Sequence, residues 1–408
     1  MSDNRVFDDW ITAYLKYTED TEPPRSYHTW VAVSCIAGAL QRRVFLRWGV
    51  ETIYPNMYVV LAGPSGRTRR STALGIGLDL FSELNIPITA QAITREALIR
   101  RMADSSRNYN MRQAGKLGWQ AALTTFSSEL AVFLGQRDVA LLTLLIDWYD
   151  SLPSWKYETK HQGKDEIKNL CYNLLATTAP EWLSTMLPLE AIGGGLTARI
   201  IFVMEHNKEK LVPRQRFLKE HEALRASLIK DLQRIALTTG EVEFGEEAEK
   251  AYIDWYTMND RMIAQGKPAI RDPRFSAYCE RRQTHLRKLC IIFTASRGDS
   301  LKVALKDFDR ARALLELTER NMPVVFGGLG RASTGHAAHA VLTYLARVKH
   351  AKRSEVLERF YQDIDFVTLQ TVQDTLEAMK AIKVTLDPAG KDAYYDIIER
   401  PSDLSASR

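Results

Sequence analysis

The residues most able to do chemistry lie in Tyr58-Val-Val-Leu-Ala-Gly63-Pro64-Ser65-Gly66-Arg-Thr-Arg69-Arg70-Ser71-Thr72. A β-branched apolar run enters a Gly-containing loop, and the loop opens into an apolar segment of helical character. Glycines let backbone N–H groups close on phosphate oxygens. A helix N-terminus adds positive potential, a cation reaches the outer phosphates, and a hydroxyl holds Mg²⁺. The pattern predicts a P-loop for ATP. Gly63, Pro64, Ser65, Gly66, Arg69 and Arg70 would surround the phosphates, and Ser71 or Thr72 would ligate the metal. The loop departs from Gly-x-x-x-x-Gly-Lys-Ser/Thr. Arg69 stands where the second glycine belongs, Arg70 stands in place of lysine, and the stretch from Gly63 to Ser71 is longer by a residue. A plain Gly/Pro turn between strand and helix is the alternative.

Downstream, Ala121-Ala-Leu-Thr-Thr-Phe-Ser-Ser-Glu129 is a short apolar strand ending in polar residues and an acid. A parallel sheet would set Glu129 beside the loop, at the carboxyl ends of the strands. There it could orient or deprotonate the attacking water, or order Mg²⁺ through water. A third strand ends at Thr177-Thr178, where Thr178 could sense the γ-phosphate. The Gly193-Gly-Gly195 loop then leads to Arg199 and a further strand, so Arg199 is expected to project from the core edge as a finger supplied in trans. Strand–loop–helix, strand–acid, strand–polar and loop–Arg–strand is the order of a multimeric P-loop ATPase. Between the acid strand and the polar strand, Trp155, Tyr157 and Thr159 alternate as one arm of a hairpin. Lys160-His161-Gln-Gly163-Lys164 is its tip. Lysine there could pair with phosphate and histidine could bond or stack along a single strand. The alternative is a solvated polar hairpin.

Roughly residues 20–325 resemble a family of phage- and plasmid-borne P-loop ATPases known as replicative helicases or primase-helicases. The likeness is carried by Thr21-Glu22-Pro23-Pro24, Gln41-Arg-Arg-Val-Phe-Leu-Arg-Trp-Gly49, Tyr54-Pro-Asn56-Met-Tyr, the loop, Ser-Ser-Glu129-Leu and Thr-Ala-Arg199-Ile-Ile-Phe. Members often write the loop Gly-Pro-x-Gly-x-x-Arg-Lys-Ser/Thr, which accounts for its spacing and leaves Arg70 as the departure. Arginine is a planar fork and a poor substitute for a point-charge ammonium. Slow hydrolysis, or a lysine-to-arginine change made to cripple the loop, would each explain it. More distantly, the hairpin tip is similar to that of superfamily III viral helicases, which grip DNA with Lys-His at this point of the fold. The resemblance implies an AAA+/RecA-like α/β core using ATP and Mg²⁺, a homo-oligomeric ring (a hexamer), single-stranded DNA and replication proteins as partners, and a helicase activity. The alternatives are a weakly hydrolysing initiator and a defence or mobile-element scaffold acting through a partner.

At 408 residues, with 45% hydrophobic and 26% charged residues, the chain is long enough for several units, each with a core. A net charge of +5 permits nucleic acid without requiring it. No apolar run reaches membrane-spanning length and Met-Ser-Asp-Asn-Arg is not a signal peptide, so a cytoplasmic protein is expected. Cys35, Cys171, Cys279 and Cys290 are scattered in apolar contexts and read as reduced core residues. The expected organisation is an N-terminal helical segment (1–50), the ATPase core (51–206), a helical lid or bundle (207–326) and a winged helix (336–398). In the lid, Arg271, Arg274, Arg281, Arg282, Arg287 and Lys288 read mostly as a solvated helix face, with one able to reach a nucleotide.

Overall fold

The computed structural model describes residues 5–111, 117–135, 138–159, 163–186, 195–214, 219–326, 333–361, 364–386 and 392–398. The chain divides into two compact units, Met1–Phe326 and Gly327–Arg408. In the first, helices α1 (Trp10–Tyr17) and α2 (Arg25–Leu40) precede strands β1 (Val44–Trp48), β2 (Glu51–Ile53) and β3 (Tyr58–Ala62). Helices α3 (Arg70–Ser82) and α4 (Arg95–Asp104), strands β4 (Ser106–Asn110) and β5 (Leu117–Ser127), and helices α5 (Leu130–Leu134) and α6 (Val139–Tyr149) follow. Then come β6 (Ser154–Thr159), β7 (Gly163–Lys168), β8 (Leu170–Thr178), α7 (Pro180–Met186) and β9 (Ile200–Met204). Helix α8 (Lys219–Leu237), β10 (Gly240–Phe244), α9 (Glu246–Ala264), α10 (Ser276–Arg297), β11 (Lys302–Val303) and α11 (Leu305–Glu319) complete the unit.

The main sheet runs β4-β5-β8-β3-β9. Strands β5, β8, β3 and β9 are parallel, and β4 is antiparallel at the edge. Every residue of β3, β8 and β9 is buried, as parallel strands covered on both faces require. The fold is mixed α/β with a parallel sheet, as the alternation of strands and helices predicts. The acid-bearing strand β5 is not next to β3, because β8 lies between them. A smaller sheet runs β11-β10-β1-β2.

Helix α2 is buried on every side from Trp30 onward and lies in the core. It approaches α3 so closely that a Cβ on Gly77 would sit 2.2 Å from Val31 Cγ1. The N-terminal helices and helices α8 to α11 belong to one packed body with the sheet. Trp10 Nε1 donates to Leu228 O at 2.9 Å, and Trp30 Nε1 to Thr318 Oγ1 at 2.9 Å. The solvated basic face expected around residues 271–288 is only partly that. Arg282, Arg287 and Lys288 are buried, because α10 crosses the core and its cations meet partners from other elements. All of Cys35, Cys171, Cys279 and Cys290 are free and buried.

The second unit contains α12 (Ser333–Val348), β12 (His350–Lys352), α13 (Arg353–Phe360), α14 (Phe366–Ala378), β13 (Ile382–Leu386) and β14 (Ala393–Ile397). Its sheet runs β12-β14-β13, antiparallel throughout. Val341, Leu345, Val356, Leu369, Val372 and Tyr395 are among the residues of its own core. Three helices and a hairpin are present as expected. The short strand β12 is an addition, pairing Ala351 with Tyr395.

Candidate functional site

The loop between β3 and α3 is built around Gly63. A Cβ there would lie 2.6 Å from Glu205 O and 2.7 Å from Tyr27 Oη. Tyr27 Oη is held in turn by donating to Ala62 O at 2.6 Å. Gly63→Ala should therefore overpack the loop and lower stability by about 1–3 kcal/mol, measured by urea unfolding. A loss near zero would mean that the loop yields freely.

Further along, Gly66 (φ 71°) and Arg69 (φ 56°) are both left-handed. Glycine accepts that conformation at no steric cost, and arginine does not. Position 69 is where the P-loop pattern carries its second glycine, and the backbone there has the shape a glycine would serve. Arg69 is tied outward, with Nε 2.8 Å from Glu22 Oε2. Lys208 Nζ sits 2.5 Å from the other oxygen of Glu22. Bonds from Lys208 and then Arg69 hold the Glu22 carboxyl down to about 2. Glu22 thus anchors the loop, a role its place beside Pro23-Pro24 did not signal.

Arg70 does not face outward. Its guanidinium is buried and donates through Nη1 to the carbonyls of Gly63 and Thr178, joining the carboxyl ends of β3 and β8. Burial lowers its pKa, while Tyr27, Glu129 and Glu181 act in the opposite direction. Ser65, Gly66, Ser71 and Thr72 are exposed, and Pro64 is half-buried. The open surface of the loop therefore combines small residues, backbone and hydroxyls with the exposed side chains of Arg67 and Arg69.

Glu129 stands at the N-cap of α5, directly after β5. Its Oε1 is buried with no hydrogen-bond partner among the described residues. Two contacts fix the turn that carries it. Ser127 Oγ donates to Glu129 O at 2.9 Å, and Thr177 Oγ1 donates to Ser128 O at 2.5 Å. The hydroxyl of Thr178 is fully buried and donates to Ala179 O at 3.3 Å, while its carbonyl accepts from Gly63 N at 3.3 Å and from Arg70. The structure thus brings the loop, Glu129, Thr177 and Thr178 together at one end of the sheet. Thr177, not singled out in the sequence, is the residue that ties β8 to the acid turn.

Arg199 is elsewhere. It precedes β9, whose Ile200 pairs with Tyr58 at the start of β3, so it lies at the amino end of the sheet. It does not project from an edge. Arg199 is buried, with Nη2 2.7 Å from Asp150 Oδ2 and Nη1 2.9 Å from Gly195 O. The expected finger is folded onto its own chain, because Asp150 at the end of α6 offers a carboxylate within reach.

The hairpin β6–β7 forms, pairing Trp155 with Ile167 and Glu158 with Lys164. Trp155 and Tyr157 stack on one face with ring centroids 5.9 Å apart. Lys160 and His161 lie outside the described residues. The chain matches no family model and no curated protein. Among the described residues, no group of three His, Cys, Asp or Glu could hold a metal, and no helix is long and apolar enough to cross a membrane.

Proposed function

We propose that residues 51–206 are a P-loop ATPase core within the unit 1–326, acting as a homo-oligomeric ring on single-stranded DNA in phage or plasmid replication. The observation that carries this reading is the loop after β3 set against Glu129 after β5, with β8 between them. Open α/β sheets bind ligands outside the carboxyl ends of their strands, where the order reverses. Strand β3 is followed in the sheet order by neighbours reached in both directions, β8 on one side and β9 on the other.

The residues fit nucleotide and metal. Gly63 leaves no space for a side chain, so backbone would approach phosphate at Ser65, Gly66 and the first turn of α3. Mg²⁺ takes few protein ligands and keeps several waters. Ser71 could supply one ligand and Glu129 could act through water. When bound, Mg²⁺ would neutralise charge building on the phosphates. The unpartnered oxygen of Glu129 suits a base that orients the attacking water. A groove of about 470 Å³ lined by Tyr17, Thr72, Gly75, Ile76, Asp79, His221, Glu222 and Arg225 adjoins α3 and has the volume for a nucleobase. The ring and its hexameric form, DNA, and a gripping role for Lys160, His161 and Lys164 are supported by the family resemblance alone.

A second reading, a slowly hydrolysing initiator or scaffold, draws on Arg70. In the structure this side chain braces two strands and would have to release two carbonyls to touch phosphate. Arg70→Lys should therefore raise ATP turnover by about tenfold or more, on the scale of charge-stabilising groups at such sites. No gain would favour the scaffold. The second unit has the helix and strand order of a winged helix, but α14 presents Phe366, Val367, Asp374 and Glu377 outward, which suits protein docking better than a DNA groove. Ser71→Ala should abolish Mg²⁺-dependent binding of a labelled ATP analogue. Unchanged affinity would remove the P-loop reading.

A further inference from the structure

At the opposite end of the sheet from the loop, a cavity of about 350 Å³ opens between β2, the end of α6 and α10. Strand β3 alone, with 5 residues, puts about 16 Å between the two ends. Arg281, Lys288, Asp150, Glu51, Ser151 and Thr284 are on the cavity wall. Lys288 comes from α10 and is buried, with Nζ 2.8 Å from Asn56 Oδ1, 3.0 Å from Asn56 O and 4.3 Å from the centre of the Tyr149 ring. None of these partners is a carboxylate.

On the cavity wall itself Arg281 and Lys288 stand with Asp150 and Glu51, and the excess of cations appears once the described residues bonded to that wall are counted. Arg42, one layer behind, lies 4.0 Å from the centre of the Tyr54 ring and donates to the carbonyls of Ser151 and Leu170. Asp150 serves two arginines, Arg199 at 2.7 Å and Arg281 at 3.3 Å. Glu51 is taken by Arg287 at 3.1 Å. Among the described residues of the wall and those bonded to it, Arg42, Arg199, Arg281, Arg287 and Lys288 thus stand against two carboxylates, Asp150 and Glu51. Buried charge without a partner is costly, so an excess of cations beside an open cavity favours an anion.

We infer that this cavity is a binding site for a phosphate group, held by Arg281 and Lys288. The oxyanion would take donors from the guanidinium and the ammonium, with the hydroxyls of Ser151 and Thr284 close by. Burial pushes the Lys288 ammonium down to about 7, against a partly opposing effect of Cys171 and Asp150 and with Arg281 and Arg199 lowering it further. His285, also packed there, is held neutral by burial, at about 3. An anion in the cavity favours the charged lysine. Affinity should therefore be full below pH about 7 and fall as pH rises above it. The site does not depend on the loop between β3 and α3.

Equilibrium dialysis of the full chain against radiolabelled sulfate and phosphate, at pH 6 and pH 8.5, tests this. Sulfate keeps its charge over that range, so its pH dependence reports the protein. Saturable binding is expected, tighter at the lower pH. Arg281→Gln and Lys288→Met should each weaken it by about tenfold or more, the scale of one charge-assisted hydrogen bond. Ser71→Ala should leave this binding unchanged, which keeps the outcome separate from that of the ATPase reading. Arg281 is partly exposed, so its replacement tests the site even if Lys288→Met fails to fold. Competition by glycerol phosphate against the part of the binding that Arg281→Gln removes would show that the phosphate is carried on an organic body; competition by inorganic phosphate alone would show a free oxyanion. Absence of saturable binding, or binding undiminished in Arg281→Gln, overturns the assignment.

Discussion

Glu129→Gln is expected to lower ATP turnover by about 10²–10⁴-fold, the usual contribution of a positioned general base. Nucleotide binding should survive. Glu129 Oε1 is buried and has no hydrogen-bond partner among the described residues. Leaving a polar atom in that state costs about 1–3 kcal/mol, which offsets the attraction between the carboxylate and the buried guanidinium of Arg70. The glutamine is nearly the same shape and carries no charge. Its melting temperature should therefore be close to that of the native chain. That combination, activity lost and stability kept, separates a base from a structural acid. Single-turnover hydrolysis alongside binding of labelled ATP measures both parts. Normal turnover in Glu129→Gln would remove the residue from the chemistry. Thr177→Val should give a smaller loss, because it only frees the turn that carries the acid.

The loop was legible because its signal is local. A β-branched run followed by Gly63 and a helical segment needs no knowledge of the rest of the chain. The hairpin from Ser154 to Lys168 was legible for the same reason, since alternating Trp155 and Tyr157 mark one face. What Arg70 does was not legible. It depends on β8 ending at Thr178 beside Ala62, a register set by the sheet and separated by more than a hundred positions in the chain. Arg199 went astray in a similar way, since Asp150 lies 49 residues earlier and meets it only in the fold. Strand β12 has 3 residues, too few to show alternation, and exists because β14 offers an edge. On α10 a dense run of Arg and Lys looks solvated to any local reading. The carboxylates and amide that bury those cations, Glu319, Glu51 and Asn56, come from three other places in the chain.

Among those buried cations, Arg282 yields the largest expected change in stability. Its Nε and Nη2 reach Glu319 Oε1 and Oε2 at 2.7 and 2.8 Å, a two-bond fork joining α10 to α11. Both side chains are almost fully enclosed. Tyr278 Oη adds a bond to Glu319 Oε1 at 3.0 Å, Asn259 Oδ1 accepts from Arg282, and the guanidinium lies 5.2 Å from the centre of the Trp255 ring. Glu319→Ala removes the only carboxylate of this set and leaves the guanidinium buried with an amide and a ring. The loss should be about 3–5 kcal/mol, the cost of breaking a buried pair from one side, read by urea unfolding at constant slope. The pair as a whole is worth much less, because both charges were desolvated to form it. Replacing both, with Arg282→Met and Glu319→Leu together, should recover most of that loss. The contrast between the two variants is the test. If the double variant is as unstable as Glu319→Ala, the cost comes from lost packing volume between α10 and α11, and the charge of Arg282 is not its source.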